Sequence, residues 1–275
     1  MRRDHRLSRR LFLSELGRRT LAVTILGATV AACSDDDSST GPEGAGSSAP
    51  AGDDAATATT GSGASAADDT ANDDQASDAA ALRWERADFG FVSAYVLARG
   101  NEVAIVDTGT DGNGGQIEQA LAALSLGWAD VDHVIVTHAH GDHIGGLDAV
   151  LTAAPESTGY AGSGDIDKLS APREIVAVDD GDEIFGLEIL GTPGHTPGHI
   201  SAFDPGTGLF LAGDAMITEN GQLAGPVAQF SDDIDLAEES VKAIADTPVS
   251  TIVVGHGEPI TDGAADQLAR LATEL

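Results

Sequence analysis

The chain has 275 residues and a formal net charge of −31, from 45 acidic against 14 basic residues. A field of that sign repels nucleic acid, which argues against a surface that tracks phosphates. A single cysteine leaves no possibility of an intramolecular disulfide or of a thiolate-rich metal site.

Taken in chain order, the first 32 residues hold seven of the 14 Lys and Arg, and residues 21–32 are mostly apolar. Basic residues, a short apolar run and small residues leading into Cys33 form the organisation of a secretory signal. The run is well short of the ~20 residues needed to span a bilayer permanently. Ser8-Arg9-Arg10-Leu11-Phe12-Leu13 resembles a twin-arginine export motif, and Val30-Ala31-Ala32-Cys33 resembles a bacterial lipobox. Those resemblances imply export, acylation of Cys33 and attachment to the extracytoplasmic face of a membrane through that lipid. Residues 34–80 are almost entirely Asp, Ser, Ala, Gly and Thr, without Lys, Arg or an aromatic side chain. Such a segment cannot bury enough apolar surface to offset the entropy of ordering, so residues 33–80 read as a disordered acidic linker. Residues 81–275 then form one domain, with 32 acidic against 7 basic residues.

Within the domain, residues 91–98 and 102–106 read as two strands joined by a turn at Arg99-Gly100-Asn101. Residues 115–126 have helical spacing, with Ile117, Leu121 and Leu124 on one face. A buried-type strand over 131–137 runs into His138, and residues 144–153 read as a helix. Short strands follow at 158–161, 175–178, 184–190, 200–203 and 208–212. A helix at 236–245, a strand at 251–254 and a helix at 264–271 complete the pattern. Strands followed by helices in both halves predict a layered α/β domain with its sheets between helices.

The chemistry is concentrated in Thr137-His138-Ala139-His140-Gly141-Asp142-His143-Ile144-Gly145-Gly146. In an extended segment His138 and His140 project to the same side, so both imidazoles can reach one metal ion. Asp142 and His143 fall where the chain turns toward the next helix, and their side chains can diverge toward a second ion.

The run H-x-H-x-D-H followed by Gly-Gly resembles the signature of the metallo-β-lactamase superfamily. Gly194-His195-Thr196-Pro197-Gly198-His199, Leu211-Ala212-Gly213-Asp214-Ala215 and Val254-Gly255-His256-Gly257 resemble its later motifs, and Val106-Asp107-Thr108-Gly109 its early aspartate motif. The resemblance implies an αββα sandwich and two divalent metal ions, zinc first, with manganese or iron also accommodated. It implies that His138, His140 and His195 hold one ion, that Asp142, His143 and His256 hold the other, and that Asp214 bridges. Asp107 would support the metal loop, and His199 would orient a ligand without being one. His133 has no assigned role.

By the same resemblance the reaction is hydrolysis, a bridging hydroxide attacking an ester, thioester or lactone carbonyl, with Asp142 and His143 at the catalytic centre and a small molecule as substrate. A dedicated β-lactamase, a mononuclear iron persulfide dioxygenase and a non-catalytic metal-binding surface protein are the competing readings. Hydroxyacylglutathione hydrolases look similar but use basic residues and a helical C-terminal extension, whereas Arg270 is the one base among the 19 residues after His256. No protein partner is expected. A mobile flap is expected over residues 218–233, and substrate recognition there and around Gly162-Ser163-Gly164.

Overall fold

The computed structural model describes residues 81–110, 112 and 114–275. The signal-like residues 1–32, Cys33 and the linker at 33–80 lie outside the described residues. Six strands build the first sheet: β1 (Arg83–Asp88), β2 (Ser93–Arg99), β3 (Glu102–Val106), β4 (Val131–Val136), β5 (Thr158–Gly162) and β6 (Ile175–Val178), in that spatial order. β1 to β3 pair antiparallel, whereas β3 to β6 pair parallel. Parallel neighbours need crossovers. They are supplied by α1 (Gly115–Ala123) between β3 and β4, and by α2 (Gly141–Ile144) and α3 (Leu147–Ala153) between β4 and β5.

The second sheet contains β7 (Glu183–Ile184), β8 (Leu187–Gly191), β9 (Ile200–Asp204) and β10 (Leu209–Leu211). A separate hairpin follows, β11 (Ile217–Glu219) with β12 (Gln222–Ala224), then α4 (Ile234–Ala243), β13 (Thr251–Val253) and α5 (Ala264–Glu274). β13 closes the edge beside β10, in parallel, giving the order β13-β10-β9-β8-β7.

Strand alternation assigns each apolar residue to a layer. Tyr95, Leu97, Ala104 and Val106 pack between the sheets with Leu187, Ile189, Leu209 and Leu211. Their neighbours Ala94, Val96, Val103 and Ile105 face outward onto Ile117 and Leu121 of α1 and Leu147 and Leu151 of α3. The outer face of the second sheet is covered by Val241 of α4 and by Leu268 and Leu271 of α5. Three apolar layers between four structural layers make this an αββα sandwich. Each fully buried Leu or Ile contributes about 1.5–3 kcal/mol, so both faces of both sheets stabilise the scaffold.

Three sequence expectations are corrected. The strand expected at 184–190 is two strands, because Phe185 and Gly186 take φ of 57° and 72° and form the tight turn that joins β7 to β8. A continuous apolar run hid that turn. The helix expected at 144–153 is split at Gly145-Gly146, so Asp142 and His143 ride on the separate short helix α2. The segment expected to be a flap contains the β11–β12 hairpin, which is anchored: Leu223 is buried in the core and its N–H donates to Gln267 Oε1 at 2.9 Å. β1, with alternating exposure, went unrecognised.

Candidate metal centre

The loops after β3, β4, β10 and β13, and the β8–β9 connection, meet at one end of the sandwich. There His138 Nε2, His140 Nδ1 and His195 Nε2 form a triangle with sides of 3.1, 2.9 and 3.2 Å. Hydrogen bonding cannot satisfy three inward nitrogens at once. His138 commits its Nδ1 to the Thr137 hydroxyl at 3.0 Å, and that hydroxyl is in turn within 2.8 Å of Asp107 Oδ2. The network therefore leaves a lone pair on His138 Nε2 facing the other two rings. A tetrahedral cation with nitrogens at about 2.0–2.1 Å would space them by about 3.3–3.4 Å, close to the observed triangle.

A second group lies alongside. His143 Nε2 is 3.3 Å from Asp214 Oδ1 and 4.0 Å from Asp142 Oδ2. His256 Nε2 is 3.3 Å from Asp142 Oδ2 and 3.2 Å from Asp214 Oδ2. Asp214 Oδ2 is also 3.4 Å from His195 Nε2, so its carboxylate touches both groups. His143 Nε2 and Asp214 Oδ1 are buried without a hydrogen-bond partner. Buried polar atoms in that state are costly, and a shared cation satisfies them. Donor sets of His138, His140 and His195, of His138, His143 and Asp214, and of Asp142, His143 and His256 are each compact enough for one ion. The donor chemistry of imidazole and carboxylate fits zinc, manganese or iron.

Supporting groups hold this arrangement. Asp107, in left-handed backbone at φ 61°, accepts from Thr137 N at 2.8 Å and holds His143 Nδ1 at 2.8 Å, which aims Nε2 inward. His199 is not a ligand: its Nε2 accepts from the backbone N–H of Asp214 at 2.9 Å and its Nδ1 meets Thr192 Oγ1 at 2.8 Å. The Tyr95 hydroxyl donates to Val254 O at 2.9 Å, behind the loop that carries His256. His256 Nδ1 donates to Phe91 O at 2.7 Å. Gly255 permits close approach, since a Cβ there would collide with Asp214 Oδ1 and stand 2.5 Å from His143 Cε1.

The electrostatics separate the imidazoles into two classes. Burial pushes His138 well below its ordinary value, His195 down to about 4 and His199 down to about 3, so these rings stay neutral. His143 is held well above its ordinary value: burial opposes the charge, but Asp214 and Asp107 overcome it. Hydrogen bonds to Asp142, then to Asp214, lift His256 to about 10. The bond from His256 in turn lowers Asp142, and for Asp214 the adjacent His143 outweighs burial and depresses the carboxyl strongly.

All seven residues singled out in the sequence converge here, and Asp107 and His199 take supporting positions. His133 stands apart, between the rings of Tyr160 and Phe185. The loop at Gly162, Ser163 and Gly164 does not reach the cavity above the cluster; it lines a separate one with Asp179, Pro197 and Gly198. What it delivers is Asp165, whose side chain is fully buried. Its Oδ2 accepts from Ala139 N at 3.1 Å and Thr196 Oγ1 at 2.5 Å, and its Oδ1 from Gly198 N at 3.2 Å. Asp165 thereby ties the His138–His140 segment to the His195 loop. One Asp among many in an acidic chain carries no local signal of that role.

The cavity above the cluster measures about 810 Å³. Phe91, Ile217, Val227 and Phe230 give it an apolar wall, and Gln229, Ser231 and Asp232 a polar one.

A profile of the metallo-beta-lactamase superfamily matches residues 87–256. The uncharacterized protein YobT of Bacillus subtilis is 31% identical, over 61% of this chain and 83% of that protein. A hydroxyacylglutathione hydrolase of Aeromonas hydrophila is 32% identical, but over 45% of this chain and 46% of its own length. Among solved structures, a metallo-beta-lactamase family protein of Thermus thermophilus shares the fold, with a TM-score of 0.56 at 22% identity over 70% of this chain and 78% of that one.

Proposed function

Because the chain belongs to the metallo-β-lactamase superfamily, we propose that it is a metal-dependent hydrolase acting on an ester, thioester or lactone carbonyl. The observation that carries this reading is Asp214, whose two oxygens reach His143 on one side and His195 and His256 on the other. His138, His140 and His195 would hold one divalent ion, zinc first, and Asp142, His143 and His256 the other, with Asp214 shared. Two such ions supply a water acidified toward neutral pH and Lewis-acid polarisation of the carbonyl oxygen.

The chain's own groups do the rest. Asp142 is partly open to the cavity, so its carboxylate can accept a hydrogen bond from the attacking water and orient it. His143 cannot turn away, because Asp107 grips its far nitrogen. No separate Ser or Cys nucleophile is required. Metal analysis of the purified protein, combined with a panel of ester, thioester, lactone and β-lactam substrates, tests the reading: turnover that chelation abolishes supports it, and a blank panel with metal bound overturns it. Export and attachment to a membrane through lipid on Cys33 belong to the same proposal and rest on residues 1–33 of the sequence.

A further inference from the structure

The hydrolase reading leaves the substrate open, and the walls of the cavity narrow it. We propose that the substrate carries an apolar acyl chain and no charge near its reacting carbonyl, and that Phe91 and Phe230 seat that chain.

Phe91 and Phe230 are 62% and 59% exposed, and with Val176 they are the large apolar side chains left open among the described residues. Both line the cavity above the metal ligands, joined by Ile217 and Val227. Their placement is tied to the site. The Phe91 ring stacks on His256, with centroids 6.1 Å apart and planes at 15°, while its carbonyl holds that histidine's Nδ1. Phe230 closes a single helical turn, Ala228–Phe230, and the next residue, Ser231, donates to Val227 O at 3.0 Å and approaches His195 Nδ1 at 3.4 Å. One phenylalanine is thus tied to each donor group, Phe91 through its own ring and carbonyl and Phe230 through its neighbour Ser231. Exposed aromatic surface at the mouth of a binding cavity is stabilised when an apolar ligand covers it.

Charge points the same way. Among the described residues no Lys or Arg lines the cavity, and Asp232 does. Lys168, with Nζ 3.7 Å from Asp232 Oδ2, is also engaged by Asp165 at 3.4 Å. A carboxylate carried close to the reacting carbonyl therefore meets Asp232 and no Lys or Arg among the described lining residues. Hydrolysis itself balances: water adds to the carbonyl carbon, the acyl–oxygen bond breaks, and the departing alkoxide takes a proton. The acid product is an anion, which the acidic wall helps to expel.

The test uses the zinc-loaded full chain and the p-nitrophenyl esters of acetate, butyrate, octanoate and succinate, the last bearing a free carboxylate. Expected is a rise in kcat/KM of about two- to fourfold per added methylene, the size set by burying each CH₂, with the succinate monoester well below butyrate. Phe230→Ser and Phe91→Ser should each flatten the octanoate-to-acetate ratio, and Gln229→Lys should raise succinate relative to butyrate. Calorimetric binding of octanamide against acetamide reads the seat without turnover. Hydrolysis with no chain-length preference, or a preference for succinate, overturns this inference and leaves the hydrolase reading standing. No hydrolysis of these esters with octanamide still bound more tightly supports the seat and leaves the hydrolase reading to the wider substrate panel; no hydrolysis and no octanamide preference overturns the seat.

Discussion

Replacing Asp165 by Asn should separate the scaffold from the metal centre. The buried carboxylate accepts from Ala139 N and Thr196 Oγ1 on one oxygen and from Gly198 N on the other, where Lys168 also approaches. An amide keeps the shape but turns one oxygen into a donor, so whichever way it lies, at least one buried donor faces N–H. Each such unsatisfied group costs about 1–3 kcal/mol, and removing a charged acceptor adds to it, so a loss of about 2–4 kcal/mol is expected in urea titration. The second consequence is specific to the site. Ala139 lies between His138 and His140, and Thr196 follows His195, so loosening the tether shifts these rings against each other. Metal affinity should fall about 10–100-fold, measured by competition with a chromophoric chelator. Lys168→Met removes a half-exposed ammonium that pairs with Asp165 and Asp232 but leaves the three hydrogen bonds to Asp165 in place, so it should cost about 1 kcal/mol or less, with affinity little changed. A folded Asp165→Asn protein that binds metal as tightly as the parent would refute the reasoning.

Other perturbations follow from the same contacts. Gly255→Ala places a Cβ against Asp214 and His143, so metal stoichiometry measured by emission spectroscopy should drop, alongside an overpacking cost of about 1–3 kcal/mol. Burial raises the Tyr95 hydroxyl to about 12 from an ordinary 10. The folded state thus holds that proton more tightly, and the associated stability is present below pH ~10 and lost as pH rises through ~12. Tyr95→Phe should be about 1 kcal/mol less stable than the parent near neutrality, with the gap closing between pH ~10 and ~12 in paired denaturation curves; a constant gap would contradict this. In cell fractionation, Cys33→Ala should leave the membrane fraction, and Arg9→Lys with Arg10→Lys should keep the protein in the cytoplasm; variants that partition like the parent would remove the export proposal.

The ligand cluster was legible because much of it is local. His138, His140, Asp142 and His143 fall within six positions, and strand alternation followed by a helical turn suffices to aim them. His195, Asp214 and His256 were legible as motifs after strands, though only the pairing of β10 with β13 and the docking of the two sheets bring them within reach of His138. Layer assignment could be read from apolar patterning, whereas strand order could not. What stayed hidden depends on contacts distant in sequence. Asp165 acts on residues 26 to 33 positions away, and Phe91 meets His256 across 165. The Gly162–Gly164 loop looked like a substrate loop by composition, yet its packing against Pro197 and Gly198 makes it part of the support. The turn at Phe185-Gly186 was masked because a buried Phe in left-handed backbone has no polar signature.

The most direct test of the central claim is metal content and turnover measured on the same samples of the parent and of Asp214→Asn. The account predicts two divalent ions per chain in the active parent, fewer in the variant, and hydrolysis reduced by orders of magnitude while the fold survives, because the carboxylate shared by both donor groups has lost its charge. A fully active parent with far fewer than two ions, or an Asp214→Asn protein that turns over normally, would contradict it.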